Sequence, residues 1–323
     1  MKSYWIVTRD NQTLLERRDI AAPAPGPNEL LIKVHASALN RGELLAGGVM
    51  HGGPEKVGGN EASGIVHALG EGVSGIKVGD RVLGRARGGF AEFAIMEAEQ
   101  AIPIPARLTW EQAAATPLSF ITAYEMVVTY GKLREGEWLF APGASSGAGV
   151  CSIQIAQVIG AHTIGTSGSH DKLEKLKSIG LEVGICTRAP DFAAAVREAT
   201  KGIGANLALN LVGGSFFAEI LRSLANKGRV AIVGYVDNQH HAEIDLSLVH
   251  ANRIQIFGVS NAKMTREQRA DVTRGFVRDI MPAIESGRIT PLVDSVFAFE
   301  DLPAAKARMD SNQMTGKIVV SMA

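Results

Sequence analysis

The sequence predicts an α/β protein in which a doubly wound parallel sheet is joined to a second, mostly β domain. Three observations predict it. Residues 138–172 pass from an apolar run through a loop of small residues into a helical stretch and a second strand-like run. From 138 to 259, six strand patterns alternate with helical ones. Before them, residues 1–105 break into short apolar segments punctuated by Gly, Pro and Asn.

In chain order, apolar segments at 5–7, 30–34, 65–68, 81–83 and 93–95 read as strands, separated by turn clusters such as APAPGPN (22–28) and GEGVSGIKVGD (70–80). Gly70, Gly72, Gly75 and Gly79 mark tight turns of a compact β domain. The texture changes at Thr109, which with Gln112 has the spacing of a capping box. A second helix follows at 117–130, closed by Gly131. Strands are then expected at 138–141, 162–167, 182–186, 206–211, 229–234 and 254–259, with helices such as 171–179 and 215–224 between them. The segment 265–286 has the spacing of one long amphipathic helix, and 295–299 and 318–321 read as strands returning to the first domain. The expected limits are 1–117 with 263–323 for the β domain and 118–262 for the α/β domain. There is no internal repeat and no low-complexity linker.

The loop of small residues comprises Gly143, Ala144, Ser145, Ser146, Gly147, Ala148 and Gly149, and the helix after it carries Val150, Ile153, Val158 and Ile159 on its apolar side. N–H groups in the first turn of a helix lack partners and carry partial positive charge, so a diphosphate can sit there if no side chain blocks it. Aligning Gly149 with the last glycine of G-x-G-x-x-G puts Ala144 and Ser146 at the first two, both of them small. A flexible surface loop would show the same composition; the strand before it and the helix after it favour dinucleotide binding.

The 323 residues include 33 basic and 33 acidic side chains, with 46% hydrophobic and 20% charged. Balanced charge without a basic run gives no field for nucleic acid or an anionic membrane. No apolar run has the length of a membrane span, and MKSYWIVTRD lacks the apolar core of a signal peptide, so a cytoplasmic protein is expected. Cys151 and Cys186 have no second cysteine or His at metal-ligand spacing and are expected as buried, unpaired thiols.

The segments ASALNRGELLAGG (36–48), GGNEASGIVHALGEGVSGIKVGDRV (58–82), PLSFITAYEMV (117–127), NLVGGSFF (210–217), KGRVAIVG (227–234) and TGKIVV (315–320), with the glycine loop, resemble the medium-chain dehydrogenase/reductase superfamily. Within it the chain looks most like the zinc-free quinone oxidoreductase, or zeta-crystallin-like, branch. The resemblance runs nearly end to end and implies a GroES-like substrate domain, a Rossmann domain and NAD(P)H in the cleft between them. Asn40 and Asn60 stand where zinc relatives have a Cys and a His on the catalytic metal; amides are poor zinc ligands, so no metal is expected. Asn60 suits a turn equally well. Asn40 matches an Asn beside the nicotinamide and Thr122 a threonine near it, and these two are the candidate catalytic residues.

Cofactor choice turns on the end of the second strand, where an acidic residue would bind the ribose of NAD. Ser167 stands there, and Lys172 and Arg188 offer positive charge to a 2′-phosphate, so NADPH is expected. Arg188 is a choice from the residues, since the family often has a Tyr where Thr187 stands. Leu211, Val212, Val233, Gly234 and Tyr235 resemble segments lining the cofactor, Phe257 one that approaches the nicotinamide, and Lys317 a basic residue near the diphosphate.

Without a Lewis acid, a quinone or another conjugated carbonyl is a better hydride acceptor than a simple one, because its charge spreads to a distant oxygen. An NADPH-dependent 2-alkenal or enone reductase is the alternative of the same chemistry; a nucleotide-binding protein with little turnover is the alternative of another class. Leu45 replaces a Tyr found in several quinone oxidoreductases, and Arg41, Glu43 and Ser119 are further polar residues of this region. By analogy a homodimer, or a tetramer built of dimers, is expected, with strand 254–259 at a sheet edge.

Overall fold

The computed structural model describes residues 1–10, 12–44 and 55–322. They divide into two compact units, one of residues 1–121 with 262–323 and one of residues 122–261.

The first unit lays down β1 (Lys2–Arg9), β2 (Gln12–Asp19), β3 (Glu29–Ala38), β4 (Glu55–Val57), β5 (Glu61–Leu69), β6 (Arg81–Arg85), β7 (Phe93–Glu97) and β8 (Ile102–Pro103). β1 pairs antiparallel with β2 and β4 in a small sheet. The apolar pattern does not predict β2, because QTLLERRD has no buried face and is held by its ladder to β1. β3 is the spine of the larger sheet, antiparallel to β5 and β7. Leu30, Ile32, Val34, Val66, Val82 and Met96 pack beneath it. Thr109 and Gln112 form the expected capping box.

The second unit contains β9 (Trp138–Ala141), β10 (His162–Ser167), β11 (Val183–Cys186), β12 (Ala205–Asn210), β13 (Leu224–Ile232) and β14 (Gln255–Gly258). All pair in parallel, in the order β11-β10-β9-β12-β13-β14. The chain winds outward first to one side of β9 and then to the other, and such a reversal opens a crevice at the carboxyl ends of β9 and β12. Phe140, Ile164, Phe192, Phe216 and Val230 fill the core. Cys151 is buried as expected, but Cys186 is exposed, because β11 is an edge strand whose residues alternate outward.

The chain then adds β15 (Val293–Ala298) and β16 (Lys317–Ser321) to the first unit, with β16 antiparallel to β3. The single helix expected at 265–286 is two, Arg266–Asp279 and Met281–Glu285. Pro282 explains the break at Ile280: it has no N–H for the carbonyl four residues earlier, and its ring collides with that carbonyl. The helix expected at 117–130 is α-helical over Pro117–Tyr124 and widens to a π turn over Glu125–Thr129, where the Tyr130 N–H reaches Glu125 O at 3.0 Å. Among the described residues no helix is long and apolar enough to cross a membrane.

Candidate functional site

β9 delivers the chain into the glycine loop, which ends at Ser146, the N-cap of helix Gly147–Ile159. Ser146 has extended backbone, and its hydroxyl accepts the Gly149 N–H at 3.2 Å. Gly143, in the left-handed region at φ 68°, donates its N–H to Thr166 Oγ1 at 3.1 Å, and the Ala144 N–H donates to Thr166 O at 3.0 Å. These bonds pin the loop to β10. A Cβ on Gly149 would lie 2.6 Å from Ala144 O, so only glycine allows the first helical turn to approach the loop this closely. The fully buried Ala144 explains the departure from the glycine fingerprint: its methyl lies 2.6 Å from where a Cβ of Gly165 would be, filling space that a glycine would leave empty. The N–H groups of Gly147 and Ala148, in the first turn, point their charge out of the helix end, with Ser145 just before them.

The neighbouring strand ends close on this loop. A Cβ on Gly143 would lie 3.4 Å from Val212 Cγ2, and one on Gly234 would lie 2.7 Å from Leu211 O, so Val233 and Gly234 pass against the end of β12. Asn210 Oδ1 accepts the N–H groups of Val212 and Gly213 at 3.3 and 2.9 Å. Asp237 accepts the N–H groups of Ser215 and Gln239, both at 2.9 Å, and the Ser215 hydroxyl. Burial opposes ionisation of Asp237, but these hydrogen bonds outweigh it and hold its carboxyl below the usual range. Tyr235 is exposed, with its ring 4.6 Å from that of His240. Phe257 is on β14, three strands from β9, against the Tyr130 ring at 6.2 Å. Thr122 Oγ1 accepts from the Asn261 amide at 3.2 Å, which leaves its own proton to donate.

At the end of β10, Ser167 is buried and the Thr187 N–H donates to its carbonyl at 3.0 Å. The exposed Arg188 lays its side chain over Gly168: a Cβ there would be 2.2 Å from Arg188 Nε. Its guanidinium therefore stands against Gly168, the residue that follows Ser167. Lys172 is in the first turn of helix His170–Lys177, its N–H facing the Ser169 cap.

In the first unit the polar centre is Glu61, whereas the sequence motif points to its neighbour Asn60. Glu61 is fully buried; its Oε1 accepts from Asn40 Nδ2 and Lys317 Nζ, both at 2.8 Å, and its Oε2 from the Leu118 N–H at 2.7 Å. Lys317 also donates to Leu39 O at 2.8 Å and Asn40 Oδ1 at 2.7 Å. All three ammonium donors are thus engaged, and none is left for the diphosphate role that the resemblance implied. An acid at the start of an apolar strand is the only sequence signal that points to Glu61. Asn60 contributes backbone, accepting the Ala86 N–H at 2.9 Å. Arg41 donates to Met309 O at 2.8 Å and Asn312 Oδ1 at 2.7 Å. Ser119 is buried, and Leu45 lies outside the described residues. Glu43 is fully buried; its Oε1 accepts the Gly59 N–H at 2.7 Å, and its Oε2 has no hydrogen-bond partner among the described residues.

Two families match the chain: the alcohol dehydrogenase GroES-like domain over residues 26–106 and the zinc-binding dehydrogenase over residues 147–274. A quinone oxidoreductase of Rattus norvegicus is 28% identical over 312 residues, covering 95% of this chain and 92% of the relative. A phenolphthiocerol/phthiocerol polyketide synthase of Mycobacterium tuberculosis is 30% identical over 311 residues, 95% of this chain; the match spans 14% of that relative's length. Among solved structures, a mycobacterial protein complexed with NADPH superposes with a TM-score of 0.89 at 26% identity, covering 99% of each chain.

The described residues offer no set suited to the zinc in one family's description. Among the described residues no group of three or more His, Cys, Asp or Glu could hold a metal ion. The Asn40 amide is moreover taken by Glu61 and by an ammonium 2.7 Å from its oxygen.

Proposed function

Because the chain belongs to the medium-chain dehydrogenase/reductase superfamily, with its Rossmann and GroES-like fold, we propose that it is an oxidoreductase that transfers hydride from NADPH to a quinone or similar conjugated carbonyl, without zinc. The observation that carries this reading is the end of β10, where Arg188 covers Gly168 beside an uncharged Ser167. When bound, NADPH supplies the hydride. The chain's own residues bind and orient it. The Gly147 and Ala148 N–H groups and the Ser145 and Ser146 hydroxyls face its diphosphate, Arg188 and Lys172 its 2′-phosphate, and Leu211, Val212, Val233, Gly234 and Tyr235 its apolar faces. Asn40, Thr122 and Phe257 serve the reacting end. The quinone oxidoreductase relative supports the acceptor class, and the donor set unsuited to zinc supports an acceptor that needs no Lewis acid.

The test follows NADPH oxidation with quinones, 2-alkenals and saturated aldehydes side by side. Turnover of quinones above alkenals is expected, with saturated aldehydes inert. Preference for alkenals moves the assignment to an enone reductase, and binding without consumption of any acceptor overturns the enzymatic reading. In the same assay Ser167→Asp is expected to raise the KM for NADPH about tenfold and improve kcat/KM for NADH, since a carboxylate repels the phosphate and accepts the ribose hydroxyls. Arg188→Ala is expected to weaken NADPH by a similar factor while leaving NADH within about twofold. Equal losses with both cofactors would remove Arg188 from the 2′-phosphate site.

The reading includes a cytoplasmic homodimer, or a tetramer built of dimers, joined through β14. That strand is the edge of its sheet and exposes Ile256. A monomer by light scattering would overturn the assembly.

A further inference from the structure

Asparagine is an ambiguous contact for a ligand, because its amide oxygen and nitrogen are nearly the same size and a half-turn exchanges them. At Asn40 the exchange is blocked. Lys317 can only donate, and it donates to Asn40 Oδ1 at 2.7 Å; Glu61 can only accept, and it accepts from Asn40 Nδ2 at 2.8 Å. Turning the amide would set N–H against ammonium and carbonyl against carboxylate. The two charged groups also bind each other at 2.8 Å, with side chains 6% and 0% exposed, so little water screens them. The Leu118 N–H and Leu39 O complete their shells at 2.7 and 2.8 Å.

We propose that Glu61 and Lys317 are positioning residues whose buried ion pair fixes the orientation of the Asn40 amide, so that one N–H of known aim remains for the carbonyl oxygen of the acceptor. A buried ion pair is poorly explained by stability alone, because desolvation offsets most of its attraction, and specifying a geometry is the better-attested use of such pairs. Asn40 is only half-buried, and among the described residues its second N–H has nothing closer than Ala38 O at 3.4 Å, a long and weak contact. A donor held still and aimed at an oxygen that gains charge during hydride transfer lowers the barrier more than one that must reorient. The ammonium itself touches no ligand, since its three donors stay within the cluster.

The inference rests on the reading of the protein as an NADPH-dependent reductase of conjugated carbonyls, and its test separates the two. In the holoenzyme, Asn40→Ala is expected to lower kcat about tenfold while leaving the NADPH dissociation constant within about twofold. Lys317→Met should do the same in the wild-type background and change kcat less than about twofold when Asn40 is already alanine, because its effect passes through that amide. Equal losses in both backgrounds, or an Asn40→Ala enzyme with unchanged kcat, would overturn the inference. If Lys317→Met does not fold, Glu61→Gln replaces it in the same cycle.

A second arm needs neither turnover nor a charge variant. In the nitrogen-15 NMR spectrum of the cofactor-free protein, the Asn40 side-chain pair, assigned by its loss in Asn40→Asp, should be widely split with one slowly exchanging proton. The narrow, fast-exchanging pair of a solvated asparagine would overturn the proposal even if every acceptor in the panel were reduced. Failure of the panel alone, with the amide locked, overturns the reductase reading instead.

Discussion

Gly149→Val is expected to raise the NADPH dissociation constant by about two orders of magnitude, roughly 2.7 kcal/mol. A Cβ at this position would stand 2.6 Å from Ala144 O and 2.9 Å from Ala144 Cα, and those atoms belong to backbone that Thr166 holds from β10. The chain can accept valine only by moving the first helical turn away from the loop. That movement turns the Gly147 and Ala148 N–H groups off their aim and adds a packing penalty of about 1–3 kcal/mol to folding. Fluorescence titration with NADPH measures the first effect and urea denaturation the second. Binding within about threefold of wild type would remove this helix end from the cofactor site.

Glu43→Gln is expected to make the protein more stable at pH 8 by about 3 kcal/mol and at pH 5 by less than about 1 kcal/mol. Burial first, opposed by Lys56 and the Gly59 and Asn60 N–H groups and reinforced by Glu61, pushes the Glu43 carboxyl from 4.5 up to about 7. The folded chain therefore holds this proton more tightly than the unfolded chain. The stability that the protonated acid allows is present in full below 4.5 and is lost as pH rises toward about 7, where a charge must be kept in the interior. Glutamine imitates the protonated acid at every pH. Urea denaturation of both proteins at the two pH values gives the difference directly, and a gap that fails to widen with pH would show that Glu43 is ionised without penalty.

Both expectations concern side chains whose identity is plain in the sequence and whose environment is not. Gly149 is recognisable as part of a phosphate-binding turn, because strand, loop and helix are contiguous and their spacing is local. The caps at Thr109 and Ser146 follow from the same local chemistry. The helix break at Pro282 has a local cause too, since a proline inside a helical pattern removes a donor wherever it occurs, yet the apolar spacing of 265–286 led to the expectation of one helix. The exposed Cys186 is not, because nothing in its own neighbourhood says that β11 lies at an edge.

The candidate site divides in the same way. Asn40, Thr122, Ser167 and the glycine loop are recognisable by motif, and Arg188 by the charge a 2′-phosphate needs. Glu61 carries no such signal, and the resemblance gives Lys317 a phosphate for a partner when its partners are a carboxylate, an amide and a carbonyl. By itself the sequence determined the alternation of strands and helices and the small-residue loop, since both are written in spacings of a few residues. Only the tertiary structure decided which charges meet. Lys317 and Glu61 are 256 residues apart, and a buried charge takes whatever partner the packed sheet brings within about 3 Å, a choice that no local pattern encodes.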